Sequence, residues 1–376
     1  MNVEKIIGRN IKELMDSKKI SQREMAKIIG VTHPTVSSYL NGKQIIDSQK
    51  LAIIARYFNV PFDFFFSEKH NKLNLLFRAD KPAENIEEFD FQEIYNYFEN
   101  YISIVDLDKM RYIPQNYNLN IEKRKINEED KNNIKNVALE IREQFNIEEV
   151  IPNNYYDVLE KEGINVIALP HSNEKFFGAS SYSNDFGSFI FVNTNKKISE
   201  ERQIFSLFHE LGHILFNRNE YKEYSNDPLY KSSRSSIDEK VANQFAGYFL
   251  LPENLVKKYI KSKGKNVDIY EMKKYFKVSI QTLYMSLHDY GIISKGKYRE
   301  FWKRLNIKGW EKIEPDPIDA ISIEDKNNRL VSTMKNLYLN EDISVNRIAE
   351  ALNINLIEAR KIIKDWSGSI DQYEKL

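Results

Sequence analysis

Apolar residues recur at helical spacing through most of this chain, and the first such stretch is compact. Ile6, Ile7, Ile11 and Leu14 form one stripe, which predicts an amphipathic helix. Ser21-Gln22-Arg23-Glu24 has the form of a capping box and opens a second helix through Met25, Ala26 and Ile28. Gly30 supplies a turn. Thr32 then caps a third helix, with Pro34 in its first turn, where proline is tolerated. Val36, Tyr39 and Leu40 face inward and Asn41-Gly42 ends that helix. Leu51, Ile54, Ala55 and Phe58 give a fourth, closed by the run from Pro61 to Phe66. Two short helices joined by a glycine-containing turn make a helix-turn-helix.

Ser67 to Lys72 is polar and reads as a linker. Apolar character resumes from Leu73 to Phe77 and is broken at Lys81-Pro82-Ala83-Glu84. Phe89 to Val105 predicts an aromatic-rich helix. Asn116 to Asn133 predicts a loop running into a helix start, followed by Val137, Ile141 and Phe145 at helical spacing. The period then changes. Asn165 to Leu169, Gly178 to Tyr182 and Ser188 to Asn193 read as strands bounded by turn residues. A small sheet of this kind offers an edge on which an extended peptide can pair.

Helical spacing returns at Phe205 to Phe216, Asp238 to Leu251, Val278 to Ile292 and the basic, aromatic stretch Lys295 to Lys312. That last stretch reads first as a solvated amphipathic helix, with single-stranded nucleic acid as the other reading. After a Pro-rich linker at Glu314 to Ile318, three short helices close the chain. Ile343 to Ile354 is helix-turn-helix-like, with Asn353 in place of the usual Gly, and reads as a protein-contact module. The expected fold class is α+β. Residues 1–66 form an all-α helix-turn-helix domain, 73–293 a mostly helical domain with a small sheet, and 294–376 a helical C-terminal region.

Composition narrows the class. The chain has 376 residues, 41% hydrophobic and 29% charged, which is globular rather than disordered. Net charge is zero, so any nucleic-acid surface must be local. Residues 1–66 carry ten Lys and Arg against six Asp and Glu, a local excess that suits a phosphate backbone. Cysteine is absent, which excludes disulfides and thiolate metal sites and fits a reducing compartment. Residues 1–5 lack the apolar run of a signal peptide, and no segment approaches ~18 uninterrupted apolar residues. The expectation is a cytoplasmic protein with no membrane partner.

The candidate chemistry lies in the helix from Phe205 to Phe216. His209 and His213 are four residues apart, so on a helix they point the same way and can hold one metal ion. Glu210 sits roughly 100° further round, within reach of a metal-bound water. Zinc suits this task because its bound water loses a proton near pH ~7. A third ligand is needed. The continuation with a glycine and a third histidine is excluded, because Phe216 and Asn219 occupy those positions. Glu239, near the start of the next strong helix, can point at the metal. Equally, Ser236-Ile237-Asp238-Glu239 can be a capping box, with Glu239 folded back on its own helix. His171 reads as a surface loop residue, Tyr182 as a structural residue that can also reach an oxyanion, and His288 as a core or surface residue.

Two resemblances sharpen these readings. The run from Ser21 through Gly30-Val31-Thr32 to Val36-Ser37-Ser38-Tyr39-Leu40-Asn41-Gly42-Lys43 resembles the phage-repressor (Cro/CI, or Xre) family, over about a sixth of the chain. The resemblance implies that the third helix enters the major groove of a double-stranded operator, bound by a homodimer. It places His33, Pro34 and Ser38 at base edges and Gln22, Asn41 and Lys43 at phosphates. The second resemblance covers roughly residues 130–260. Here His-Glu-x-x-His is followed about 26 residues later by Glu239-x-x-Ala242-Asn243-x-Phe245-Ala246, ending in Leu251-Pro252. This is similar to the ImmA/IrrE metallopeptidases. It implies His209, His213 and Glu239 as zinc ligands, Glu210 as general base, and Asn219 to Ser235 as a flap beside the site. The implied function is a DNA-binding regulator with zinc-dependent endopeptidase activity, cleaving a repressor or itself. The genes controlled would be those of mobile elements, defence or the DNA-damage response, with single-stranded DNA as a trigger. The alternative is a repressor whose peptidase-like domain is a non-catalytic sensor or an antitoxin-type partner-binding module.

Overall fold

A computed structural model describes residues 3–17, 20–58, 60, 62–66, 78–79, 88–105, 107, 112, 114–117, 119, 121, 125–150, 154–183, 186–217, 236–310 and 314–368. The chain divides into two compact units, Met1–Leu73 and Asn74–Leu376. The expected linker at Ser67 to Lys72, the apolar run at Leu73 to Phe77, the break at Lys81-Pro82-Ala83-Glu84 and the flap at Asn219 to Ser235 lie outside the described residues.

The first unit holds α1 (Val3–Ser17), α2 (Gln22–Ile29), α3 (His33–Leu40), α4 (Ser48–Phe58) and a 3-10 turn at Phe62–Phe66. The capping box before α2 is formed: the Ser21 N–H donates to Glu24 at 2.8 Å and the Glu24 N–H to Ser21 Oγ at 3.3 Å. Gly30 ends α2 with φ 67°, a left-handed position that favours glycine. Thr32 stands before α3 as expected, but its hydroxyl meets that of Thr35 at 2.8 Å and does not cap the backbone. Ile11, Met25, Ile29, Val36, Leu51, Ile54 and Phe65 close a core of their own. The buried Asn10 ties α1 to the closing turn by donating to the carbonyls of Phe64 and Phe65, both at 3.0 Å.

The second unit begins with β1 (Arg78–Ala79) and α5 (Glu88–Ile104), then α6 (Glu128–Gln144), α7 (Tyr155–Lys161), β2 (Asn165–Leu169), β3 (Gly178–Ser183) and β4 (Gly187–Asn193). Helices α8 (Glu200–Phe216), α9 (Ser236–Leu250), α10 (Glu253–Lys263), α11 (Ile269–Phe276) and α12 (Ile280–Asp289) follow. The sheet order is β1-β3-β4-β2, with β3 antiparallel to β4 and β2 parallel to it. The three expected strands are present. The fourth, β1, pairs antiparallel with the outer side of β3 at Arg78↔Ser180 and Ala79↔Ala179. Every residue of β2 and β4 is buried, which explains their unbroken apolar runs. Helix α8 packs over β3 and β4 and α9 packs on the other side of α8, joining Ile190, Val192, Leu207, Phe208, Leu211, Phe245 and Phe249 in one core.

Helices α13 (Lys295–Lys308), α14 (Ile323–Lys326), α15 (Asn328–Leu339), α16 (Val345–Ala351) and α17 (Leu356–Gly368) belong to this same unit. Polar groups do much of the docking. Lys326 Nζ reaches Glu200 and Gln203 at the start of α8, both at 2.7 Å. Asn327 pairs with the backbone of Ala168 in β2 by two hydrogen bonds, at 2.8 and 2.9 Å. Buried Lys273 bridges Glu201 at 2.7 Å and Glu314 at 3.2 Å. Asn353 takes φ 50°, a left-handed conformation that Asn tolerates in place of Gly. Its amide donates to Tyr97 at 2.7 Å and Arg347 donates to Asn100 at 2.8 Å, so the helix-turn-helix-like module contacts α5. Among the described residues no helix is long and apolar enough to cross a membrane.

Candidate metal centre

Ser199 starts α8 by accepting the Arg202 N–H at 3.3 Å, and residues 206 to 216 are all buried between the sheet and α9. In that setting the two histidines face a common point. His209 Nε2 and His213 Nε2 are 3.0 Å apart. Glu239, in the first turn of α9, places Oε2 3.4 Å from His209 Nε2 and Oε1 3.4 Å from His213 Nε2. Ser236 is itself a helical residue in α9, and Glu239 stands beside the histidines.

The outer nitrogens define the tautomers. His209 Nδ1 lies 3.0 Å from Asn243 Oδ1, and His213 Nδ1 lies 3.4 Å from Asn217 Oδ1. An amide oxygen only accepts, so in the tautomer that satisfies both contacts each Nδ1 donates and each Nε2 turns a lone pair towards the shared point. Two buried lone pairs facing one another beside a partly exposed carboxylate call for a cation between them. Ligands about 2.1 Å from one tetrahedral ion lie roughly 3.4 Å apart. The observed separations of 3.0 to 3.4 Å match that span. Two imidazoles and one carboxylate are also a donor set that zinc accepts with one position left open. These residues therefore fit zinc.

Glu210 is fully buried, and its carboxylate accepts the hydroxyl of Ser180 on β3. Gly178 sits two residues earlier on the same face. A Cβ there would fall 3.2 Å from Glu210 Cγ and 3.1 Å from the Phe191 carbonyl, so any side chain at this position would crowd β3 against the glutamate. Tyr182 shares that face by strand alternation and is 3% exposed. The strand was legible in the sequence, whereas the contacts of Ser180, Gly178, Asn217 and Asn243 with the site residues were not. Asn243 lies inside the second motif, and the Gly-x-Ser spacing in β3 was the signal for the other pair.

Other readings change. His171 is not a surface residue: it is 1% exposed and packs on Phe176 and Phe191. Its Nε2 lies 3.1 Å from Glu93 and its Nδ1 accepts the Asn173 N–H at 3.1 Å. His288 stacks on Tyr298 with ring centroids 4.2 Å apart, and Phe301 on Tyr284 at 3.9 Å, so the aromatic face of α13 packs against α12. In the first unit, His33, Pro34, Asn41 and Lys43 are exposed and Gln22 and Ser38 partly so. The Ser38 hydroxyl donates to the Pro34 carbonyl at 3.0 Å, and the Asn41 amide donates to that of Ser37 at 2.7 Å.

Comparison with known proteins agrees with this division. Residues 159–288 match the IrrE N-terminal-like domain, a span that contains His209, Glu210, His213 and Glu239. Residues 11–65 match a helix-turn-helix domain. The antitoxin PezA of Streptococcus pneumoniae is 35% identical over 57 residues, which is 15% of this chain and 36% of that protein. The shared part thus spans about a third of that relative.

Proposed function

From a chain that joins a DNA-binding helix-turn-helix domain to a metallopeptidase-family domain, we propose a cytoplasmic transcriptional regulator with zinc-dependent endopeptidase activity. Its substrate is a protein, either a repressor or this chain itself, and its targets are genes of mobile elements, defence or the DNA-damage response. One observation carries the reading: His209, His213 and Glu239 converge on one point while Glu210 stands on the same helix, held by Ser180.

His209, His213 and Glu239 would hold the zinc, with Asn243 and Asn217 keeping the imidazoles in the required tautomer. Zinc, when bound, supplies a Lewis acid that polarises a peptide carbonyl and acidifies water. Glu210 takes the proton of the attacking water and passes it to the leaving nitrogen. Ser180 fixes the carboxylate's orientation for both transfers.

The first unit binds a palindromic operator as a homodimer, with α3 in the major groove. His33, Pro34 and Ser38 meet base edges, and Gln22, Asn41 and Lys43 meet phosphates. Because the Ser38 proton is engaged by Pro34, Ser38 meets a base as an acceptor.

The test is to incubate wild type and Glu210→Gln, each with zinc, with the products of neighbouring genes, with and without single-stranded or damaged DNA. Fragments should arise with wild type alone. No fragments under any condition would remove the catalytic reading. The likeness to an antitoxin in the helix-turn-helix segment favours one rival, a repressor whose second domain binds a partner or signal without cleavage. That rival takes over if Glu210→Gln induces its target genes as wild type does after DNA damage.

A further inference from the structure

Ser180 and Gly178 bring β3 against Glu210. β3 is therefore the strand in direct contact with Glu210, and its outer edge is the one turned away from β4. A sheet edge beside a hydrolytic centre is where an extended polypeptide gains backbone pairing and is held straight for attack. In this chain that edge is taken. β1 pairs antiparallel with it, Arg78 opposite Ser180 and Ala79 opposite Ala179. The residue opposite Arg78 is the one whose hydroxyl holds Glu210.

We propose that the outer edge of β3 is the binding site for an extended polypeptide, and that the chain keeps residues 78–79 there in cis, so that a substrate must displace them. The ligand's identity as a substrate rests on the peptidase reading; the occupancy of the edge does not. A tethered segment competes at an effective concentration of the order of millimolar. If the edge is open about one time in ten, an incoming peptide binds about tenfold more weakly than to a bare edge. A ladder of two residue pairs is short enough to be displaced by a longer strand. The occupying residues lie just beyond Leu73, where the DNA-binding unit ends.

In an antiparallel pair, successive residues alternate between bonded and non-bonded positions. One of Arg78 and Ala79 therefore directs its N–H at β3, and replacing both by proline removes that bond whichever it is. The experiment uses the full chain carrying Glu210→Gln, loaded with zinc, with and without Arg78→Pro/Ala79→Pro. A milder pair, Arg78→Gly/Ala79→Gly, serves if the proline variant fails to fold. The probe is a fluorescent peptide with the sequence of residues 74–84. We expect it to bind the proline variant about tenfold more tightly than the parent. Amides of residues 179–181 should exchange faster in the variant and regain protection when the peptide is added. Equal affinities and equal exchange in parent and variant overturn the proposal. Neither readout needs turnover. A protein that never cleaves but passes this test keeps the edge site and loses the peptidase reading, and one that cleaves but fails it does the reverse.

Discussion

Gly212 on α8 lies directly against Ala242 on α9: a Cβ at 212 would fall 3.1 Å from Ala242 Cα and 3.2 Å from the Phe245 ring. The two helices meet closely at the residue just before His213, and Glu239 lies one turn up α9 from that contact. Gly212→Val should push α9 away and draw Glu239 off the histidines. We expect at least a tenfold loss of zinc affinity, with overpacking costing about 1–3 kcal/mol. Chelator competition and thermal melting measure the two effects. Unchanged zinc affinity would mean that something other than this contact places Glu239.

The ligands and their supports should separate by degree. His213→Ala should lose bound zinc, and Glu239→Gln should weaken binding without unfolding α9. Asn243→Ala should cost roughly 10- to 100-fold in affinity by freeing the His209 ring. Asn243→Asp keeps an acceptor towards Nδ1 and should recover most of that loss. Equal zinc content in wild type and His213→Ala would sink the assignment.

Ser180→Ala should keep zinc and lower kcat by about tenfold with little change in KM, since the carboxylate loses its partner and not the metal its ligands. Ser180→Thr retains the hydroxyl and should restore part of the rate. A full rate in Ser180→Ala would show that Glu210 needs no support from β3.

Glu160 makes stability depend on pH. Burial is the main cause that pushes its carboxyl up to about 7, against the Arg329 N–H that favours the charged form. The folded chain therefore holds this proton between the unfolded value of 4.5 and about 7. Stability should fall as pH rises through that window, by at most about 3 kcal/mol. Glu160→Gln keeps an acceptor for Arg329 and cannot ionise, so its melting temperature should vary less from pH 5 to 8. Parallel curves for the two proteins would show that Glu160 is not the group responsible.

In the first unit, Gly8 holds α1 against α3, because a Cβ there would fall 2.4 Å from the Tyr39 carbonyl oxygen. Gly8→Ala should destabilise the unit by about 1–3 kcal/mol and weaken operator binding with it. Lys43→Ala should weaken binding to all DNA and lower the salt slope by roughly one, whereas Ser38→Ala should blur sequence discrimination. Footprinting that finds no protected operator would point to a protein-contact role for this unit.

The chain's local chemistry was legible without coordinates. The capping box at Ser21 and Glu24, the turn at Gly30, the three strands at 165–193 and the facing pair His209 and His213 all follow from spacings of a few residues, which backbone geometry alone interprets. Contacts between distant segments were not legible. Whether Glu239 turns back on its own helix or stands beside the histidines depends on how α8 and α9 pack, and their close approach at Gly212 and Ala242 joins residues thirty apart in the chain. The support of Glu210 by Ser180, the burial of His171, the pairing of residues 78–79 with β3 and the docking of Lys326 on Glu200 are of the same kind. Each joins groups far apart in the chain, and only packing decides which of many compatible partners a polar group meets once it leaves water.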